Sequence, residues 1–180
     1  MLTEHDLQRF RDLSNRIHKG QTYLEGSVER PYSVHLDAVE EVLVRFKLAT
    51  PERRISARFH DAIEDQGQTR DSLRRLGLPE VSIDTVWRVS DEPGANRKER
   101  KAKTYPKIAA SKEAVITKLC DRVANIEAGL KHPGSSKRDM YRKEQASFYK
   151  ALYTPDPETA PLWAHIDGLL REPPVLSPAP

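Results

Sequence analysis

The sequence has few of the features that define disulfide-rich and membrane proteins. Cys120 is the single cysteine among 180 residues, which excludes an internal disulfide framework or a cysteine-rich zinc site and suits a reducing compartment. No apolar run approaches the roughly 20 residues of a membrane-spanning helix. The charged residues 1–11 do not resemble a secretory signal. We therefore expect a cytoplasmic protein that has no membrane partner.

An excess of charge of one sign is also missing. The chain has 30 Lys and Arg against 27 Asp and Glu, a formal net charge of +3, whereas nucleic-acid-binding domains are usually strongly basic. Nucleic acid is therefore not the expected partner, while a homo-oligomer is compatible with this composition. The length predicts a single domain over residues 1–171. Four prolines in the nine residues 172–180 predict a disordered tail.

Apolar residues recur at helical spacing along most of the chain, and no alternating run is long enough for a substantial sheet. This pattern predicts an all-α fold of about eight or nine helices. Residues 112–128 form the most apolar of these segments, and we expect that helix to be central. Residues 20–31 show no period and predict a loop that serves a site. Another helix is predicted to begin at Pro51 and to end near Gly67.

The His60-Asp61 pair lies inside this last predicted helix, with two more acidic residues one turn later. Residues four apart on a helix face the same way, so His60 aligns with Glu64 and Asp61 with Asp65. An imidazole and a carboxylate can then hold a cation, and the second carboxylate pair can hold a water against it. An isolated His-Asp pair on an amphipathic helix is more often part of a solvated acidic face. The spacing of Glu64 and Asp65 weakens that interpretation, and the further ligands elsewhere in the chain reverse it in favour of a metal site.

Two residues elsewhere could complete such a site. His35 lies in the first turn of a predicted helix, and Asp121 interrupts the most apolar one. Two imidazoles and two carboxylates would suit Mn²⁺, Fe²⁺, Co²⁺ or Zn²⁺ and leave the ion a Lewis acid. His35 could instead be a partly buried histidine, and Asp121 could pair with Arg122, since an unpaired buried carboxylate costs several kcal/mol. Asn125, on the same face as Asp121, fits the site and a helix-to-helix hydrogen bond equally well.

Four motifs in this order resemble the HD-domain phosphohydrolases, and most of all the small alarmone hydrolases and the hydrolase domain of Rel/SpoT-type proteins. They are His18-Lys19-Gly20-Gln21, Pro31-Tyr32 followed by His35, His60-Asp61-Ala62-Ile63-Glu64-Asp65, and Asp121-Arg122-Val123-Ala124-Asn125. The ordered set, which spans residues 16–125, is much more specific than any one motif.

The resemblance implies an all-helical HD fold with one divalent metal, usually Mn²⁺. The ligands it implies are His35, His60, Asp61 and Asp121. It gives Glu64 and Asp65 the role of positioning and activating the attacking water. The implied reaction is the hydrolysis of the guanosine polyphosphates (p)ppGpp, in which a metal-bound water releases the 3′-pyrophosphate.

A basic run predicts the contacts to the substrate's phosphates. Arg97 and Lys101 are four apart and could line one face, with Lys98 beside them. Such a run is usually a solvated face, but the resembled family has a similar basic helix at this point.

The chain departs from the resembled family around the nucleotide. The family usually carries basic residues after His-x-Gly-Gln, one of which stacks on guanine, where this chain has Thr22, Tyr23 and Leu24. A lysine that the family often has is replaced by Pro93. Tyr23 could stack on a base through its ring, although it cannot bind phosphate as a cation. Two alternatives therefore stay open: hydrolysis of another nucleotide, such as a dinucleotide cofactor's phosphate or a dNMP, and a nucleotide sensor that does not cleave.

Overall fold

The computed structural model describes residues 2–25, 28–131 and 137–171, and 71% of these described residues are helical. Its elements within these ranges are α1 (Glu4–Ile17), β1 (Thr22–Glu25), β2 (Val28–Pro31), α2 (Ser33–Arg45), α3 (Pro51–Phe59), α4 (Ala62–Gln66), α5 (Arg70–Arg75), α6 (Glu80–Val89), α7 (Arg97–Ala109), α8 (Lys112–Leu130), α9 (Lys137–Leu152) and α10 (Ala160–Leu170). The all-α prediction is confirmed. The tail 172–180, predicted to be disordered, lies outside the described residues.

α8 is the central helix, as its apolar sequence predicts. It packs against α2, α3, α6, α7, α9 and α10, and residues around its whole circumference are buried. Ile116, Leu119, Val123 and Ile126 have no exposed surface. A helix that is apolar all round must have neighbours on every side, and this position places Asp121 in the interior of the fold.

A second hydrophobic cluster lies where α1, α5 and α6 meet α3. Phe10, Ile55, Phe59, Leu73 and Ile83 are all buried there. Ala57 of α3 belongs to the larger cluster around α8, so α3 is packed from both sides. Its C-terminal end is therefore rigidly placed, and this is the end that carries His60.

The His-Asp pair does not lie inside a continuous helix, so that prediction is wrong. α3 ends at Phe59 and α4 begins at Ala62, with a backbone at Asp61 (φ −102°, ψ 4°) that is not helical. This break raises the number of helices in the described residues to ten, above the eight or nine predicted. Contacts from other elements hold the break, since the Tyr32 hydroxyl donates to the Asp61 carboxylate. α4 ends at Gly67, as predicted, in a left-handed turn (φ +61°).

The predicted loop over residues 20–31 contains a two-stranded antiparallel hairpin instead. Thr22 pairs with Pro31 and Glu25 with Val28. Four residues are too few to show an alternating period in the sequence, and the outer strand is fully exposed. The inner strand turns Tyr23 towards α2 and α8, where the ring contacts His35 and the hydroxyl reaches Asn125.

None of the helices in the described ranges is both long enough and apolar enough to span a bilayer.

Candidate metal centre and cavity

Three buried side chains from three helices meet at one point. His35 comes from the first turn of α2, His60 from the end of α3 and Asp121 from the middle of α8. The Nε2 atoms of His35 and His60 are 3.3 Å apart. An Asp121 carboxylate oxygen lies 3.3 Å from Nε2 of His35 and 3.7 Å from Nε2 of His60. All of these ligand atoms lie within 4.8 Å of one another.

The chemistry of this donor set fits a divalent ion. His60 directs Nδ1 at the Ala57 carbonyl oxygen, 2.8 Å away. When Nδ1 donates its proton to that oxygen, Nε2 keeps a lone pair for a metal. Two imidazole nitrogens and a carboxylate oxygen suit first-row transition metals such as Mn²⁺ or Zn²⁺. The three residues could therefore hold a metal ion.

Asp61, the fourth predicted ligand, lies at the edge of this group. One of its carboxylate oxygens is 3.0 Å from Nε2 of His60, and the same oxygen accepts the Tyr32 hydroxyl hydrogen bond. It is not one of the three groups that are all mutually close. The structure thus brings three predicted ligands together and places the fourth against one of them.

Asp121 is held in its ionised form by its neighbours. Lys118 lies one turn earlier on α8, with Nζ 2.8 Å from the carboxylate, and the Asn125 amide donates to it at 2.6 Å. Burial opposes ionisation, but Lys118 and the two histidines outweigh it and hold the pKa of Asp121 well below its usual range. These contacts offset the free energy that it would cost to bury an unpaired carboxylate in so apolar a helix.

The pKa of His60 shows how negative the centre is. Burial alone would lower this pKa, yet the Asp61 and Asp121 carboxylates raise it well above its usual value. The negative charge that raises this pKa also favours a divalent cation, which would take the place of the proton.

A cavity of about 220 Å³ opens beside this centre. His35, Asp61 and Asp121 form one wall, and cationic side chains line it as well. These cations are Arg97, Arg100, Lys101, Lys118 and Arg122. A cavity with metal ligands and several cations together is suited to a polyphosphate.

The two predicted water-activating residues occupy different positions. Glu64 lines the cavity, and its carboxylate accepts the Asp91 backbone N–H at 3.0 Å. Burial raises the pKa of Glu64. The Asp65 carboxylate accepts a hydrogen bond from the Gln21 amide at 2.7 Å, and burial followed by the nearby Asp61 charge raises its pKa. Glu64 is therefore the one that faces a ligand in the cavity.

The three residues predicted to bind phosphate also lie in different places. Arg97 and Lys101 both line the cavity, whereas Lys98 lines a neighbouring groove. Arg97 binds Glu144 at 2.6 Å, and Lys101 binds both oxygens of Asp91 at 2.8 and 2.9 Å. A phosphate that enters would share these cations with carboxylates.

The two predicted nucleotide contacts are engaged with the metal centre. The Asn125 amide bonds to Asp121 of its own helix, and Asn125 Oδ1 is 3.5 Å from the Tyr23 hydroxyl. The Tyr23 ring stacks on His35, with centroids 4.9 Å apart, and the Lys137 ammonium lies 4.2 Å from its centroid. Both side chains thus support the predicted metal ligands.

Sequence reasoning missed three further residues. Lys118 is three residues before Asp121, so helical spacing alone could have placed it on the same face. The role of Tyr32 at Asp61 depends on a contact across 29 positions. Asp91 links Glu64 to Lys101 through its backbone and side chain, and no local pattern indicates that link.

No family model matches the sequence, and no curated protein matches it. A comparison with solved structures finds a metazoan ortholog of SpoT that hydrolyzes ppGpp and plays a role in starvation responses. The TM-score is 0.78 at 20% identity, over 94% of this chain and 96% of that one. The chain therefore shares the fold of this ppGpp hydrolase, and at this identity the likeness shows the fold alone.

Proposed function

We propose that this protein is a metal-dependent phosphohydrolase that removes the 3′-pyrophosphate from (p)ppGpp. The observation that carries the proposal is the single cavity in which a metal-ligand cluster, a raised-pKa glutamate and several cations meet. Water supplies the oxygen that bonds to phosphorus while the bond from phosphorus to the ribose 3′ oxygen breaks. The products from ppGpp are GDP and pyrophosphate.

His35, His60 and Asp121 are the proposed ligands, with Asp61 as the fourth and Mn²⁺ as the proposed ion. When bound, such an ion polarises a phosphoryl oxygen and makes a nearby water more acidic. Tyr32 supports this arrangement because its hydroxyl fixes the Asp61 carboxylate. Lys118 and Asn125 do the same for Asp121.

Glu64 is the proposed general base. Its burial raises its pKa, which makes the carboxylate a stronger base than an exposed one. The Asp91 N–H fixes one of its oxygens and leaves the carboxylate lining the cavity. The proton that Glu64 takes from water is balanced by the proton gained by the ribose 3′ oxygen. Asp65, bound to Gln21, has the proposed role of positioning the same water.

Arg97, Lys101 and Lys118 are the proposed partners of the pyrophosphate. Each lines the cavity, and preorganised cations stabilise the charge that develops on a transferred phosphoryl group. Asp121 fixes the Lys118 ammonium at 2.8 Å, beside the metal centre.

A panel of nucleotides tests the proposal on the Mn²⁺-loaded full chain. We expect pyrophosphate release from ppGpp and pppGpp, and no release of inorganic phosphate from NADPH or dNMPs. Glu64→Gln should lower kcat by roughly 10²- to 10⁴-fold, the usual contribution of a general base. Glu80→Gln is the control, because Glu80 is exposed and bound only to Arg74.

Two results would replace the proposal. Release from NADPH or a dNMP but not from ppGpp would identify a hydrolase of another nucleotide, an alternative favoured by the lack of a cation at Thr22, Tyr23 and Leu24. If wild type and Glu64→Gln both bound ppGpp and were equally inert, the protein would be a nucleotide sensor.

A further inference from the structure

The catalytic cavity is too small for a whole nucleotide. Its volume of about 220 Å³ lies below the roughly 300–1,000 Å³ of pockets that enclose drug-sized ligands. Its lining of carboxylates, imidazoles and cations is suited to phosphate groups. If the proposed function holds, the nucleoside of the substrate must lie in an adjoining space.

The space on the hairpin side is a poor candidate. It measures about 230 Å³ and shares only Tyr23 and His35 with the catalytic cavity. These two rings stack on each other, with an angle of 19° between their planes, so they close the boundary. Glu25, Glu41 and Glu127 line this space together with Arg45 and Lys131. Arg45 is paired with Glu127 and Lys131 with Glu25, so both of these cations already have a carboxylate partner.

The groove between α7 and α9 is larger and adjoins the catalytic cavity. Its volume is about 550 Å³, and it shares Arg97, Lys101 and Tyr105 with the cavity. Ala102 and Ser147 are its small, exposed members. The lining is mainly apolar, which suits the flat face of a base and the carbons of a ribose.

The charges of the groove match a nucleotide with phosphates at two positions. Lys98 and Lys143 line it, and neither has an ion-pair partner among the residues that the structure describes. The one carboxylate in the lining, that of Glu144, is already bound by Arg97. The groove therefore carries uncompensated positive charge at a distance from the metal centre.

We propose that the α7–α9 groove binds the nucleoside of the substrate and that Lys98 and Lys143 contact its 5′ phosphates. The 3′-pyrophosphate then lies in the catalytic cavity, and Arg97 and Lys101 stand at the junction of the two spaces. This inference rests on the proposed function. It places the part of the substrate that does not react, the nucleoside with its 5′ phosphates, in the α7–α9 groove.

Two small ligands separate the two spaces in a binding experiment. GDP carries the nucleoside and the 5′ phosphates but no 3′-pyrophosphate, while inorganic pyrophosphate has no nucleoside and represents the group proposed to lie in the catalytic cavity. Calorimetric titration of the Mn²⁺-loaded full chain should show that Ala102→Trp, which fills the groove, weakens GDP binding about tenfold or more. Pyrophosphate binding should change less than about twofold. Ala146→Trp is the matched control on exposed surface of α9 outside the groove, and both ligands should bind it as they bind wild type.

A charge variant tests the same site without adding bulk. Lys98→Glu with Lys143→Glu should weaken GDP binding by about tenfold or more, whereas Lys150→Glu, exposed on α9 outside the groove, should not. Wild type that fails to bind GDP, or groove variants that bind it normally, would overturn the inference. An equal loss of GDP and pyrophosphate would also overturn it. Hydrolysis of ppGpp is measured separately, so failure of the proposed function is distinguishable from failure of the groove.

Discussion

At the residue scale, the candidate site could be predicted to the extent that its chemistry is local in sequence. His60, Asp61 and Glu64 lie within five residues, and their types and spacing indicated a metal and a base. His35 and Asp121 came from the order of motifs. The supporting contacts could not be predicted, because a hydroxyl that fixes a carboxylate leaves no period or spacing in the sequence.

We expect the Tyr32 hydroxyl to contribute to the metal affinity of the site. Tyr32→Phe keeps the ring that stacks on His18 at 5.0 Å but removes the hydroxyl that donates to Asp61. Partners that orient a metal ligand typically contribute 10- to 100-fold to metal affinity, so we expect Mn²⁺ affinity to fall by about tenfold or more. Competition with a chelating dye measures this. Tyr153→Phe, which changes an exposed residue just after α9, should leave the affinity unchanged. Unchanged affinity in Tyr32→Phe would remove Asp61 from the ligand set.

At the scale of elements, periodicity predicted the long helices and failed at two short features. The break between α3 and α4 and the β1–β2 hairpin both depend on contacts with distant residues. A helix pattern that continues through His60 and Asp61 contains no signal for the break, because Tyr32 and the histidine cluster impose it from outside. The hairpin's outer strand is exposed throughout, so no buried face marks it.

Arg58 joins three helices, and we expect its replacement to destabilise the fold. Its fully buried guanidinium on α3 bonds to Ser14 and Asn15 of α1 and to Asp37 of α2. Arg58→Met would leave these polar groups without their partner, and we expect a loss of about 3 kcal/mol in the free energy of unfolding. Urea unfolding measures it.

The control for Arg58 is an arginine that has no side-chain hydrogen bond or ion pair to another helix within the described part of the chain. Arg75 is exposed at the end of α5, and Arg75→Met should change the free energy of unfolding by less than about 0.5 kcal/mol. Similar effects of the two substitutions would show that the buried guanidinium does not hold α1 and α2 against α3.

At the scale of the whole molecule, the apolar composition of α8 predicted its central position. The sequence did not predict which ion pairs join the segments packed around it. Arg53 of α3 binds Glu113 of α8 at 2.7 Å and Glu158, just before α10, at 2.5 Å. Lys112 also binds Glu158 at 2.5 Å. Arg53 and Glu158 are 105 positions apart. Charged residues so far apart in sequence cannot be recognised as partners from the sequence alone.

The stability that the Glu158 ion pairs contribute depends on pH. Hydrogen bonds from Arg53, followed by those from Lys112, lower the pKa of Glu158 in the folded protein. A carboxyl with a lowered pKa stabilises the fold above its unfolded value of about 4.3, and this contribution disappears as the pH falls through the folded pKa. Glu158→Gln should therefore lower the free energy of unfolding by about 1 kcal/mol at pH 7. The difference should be smaller at pH 3, because protonation of Glu158 removes the same charge from wild type. Urea unfolding at both pH values measures this, with Glu41→Gln, exposed on α2, as the control. A difference that persisted undiminished at low pH would mean that Glu158 acts through packing or neutral hydrogen bonds and not through its charge.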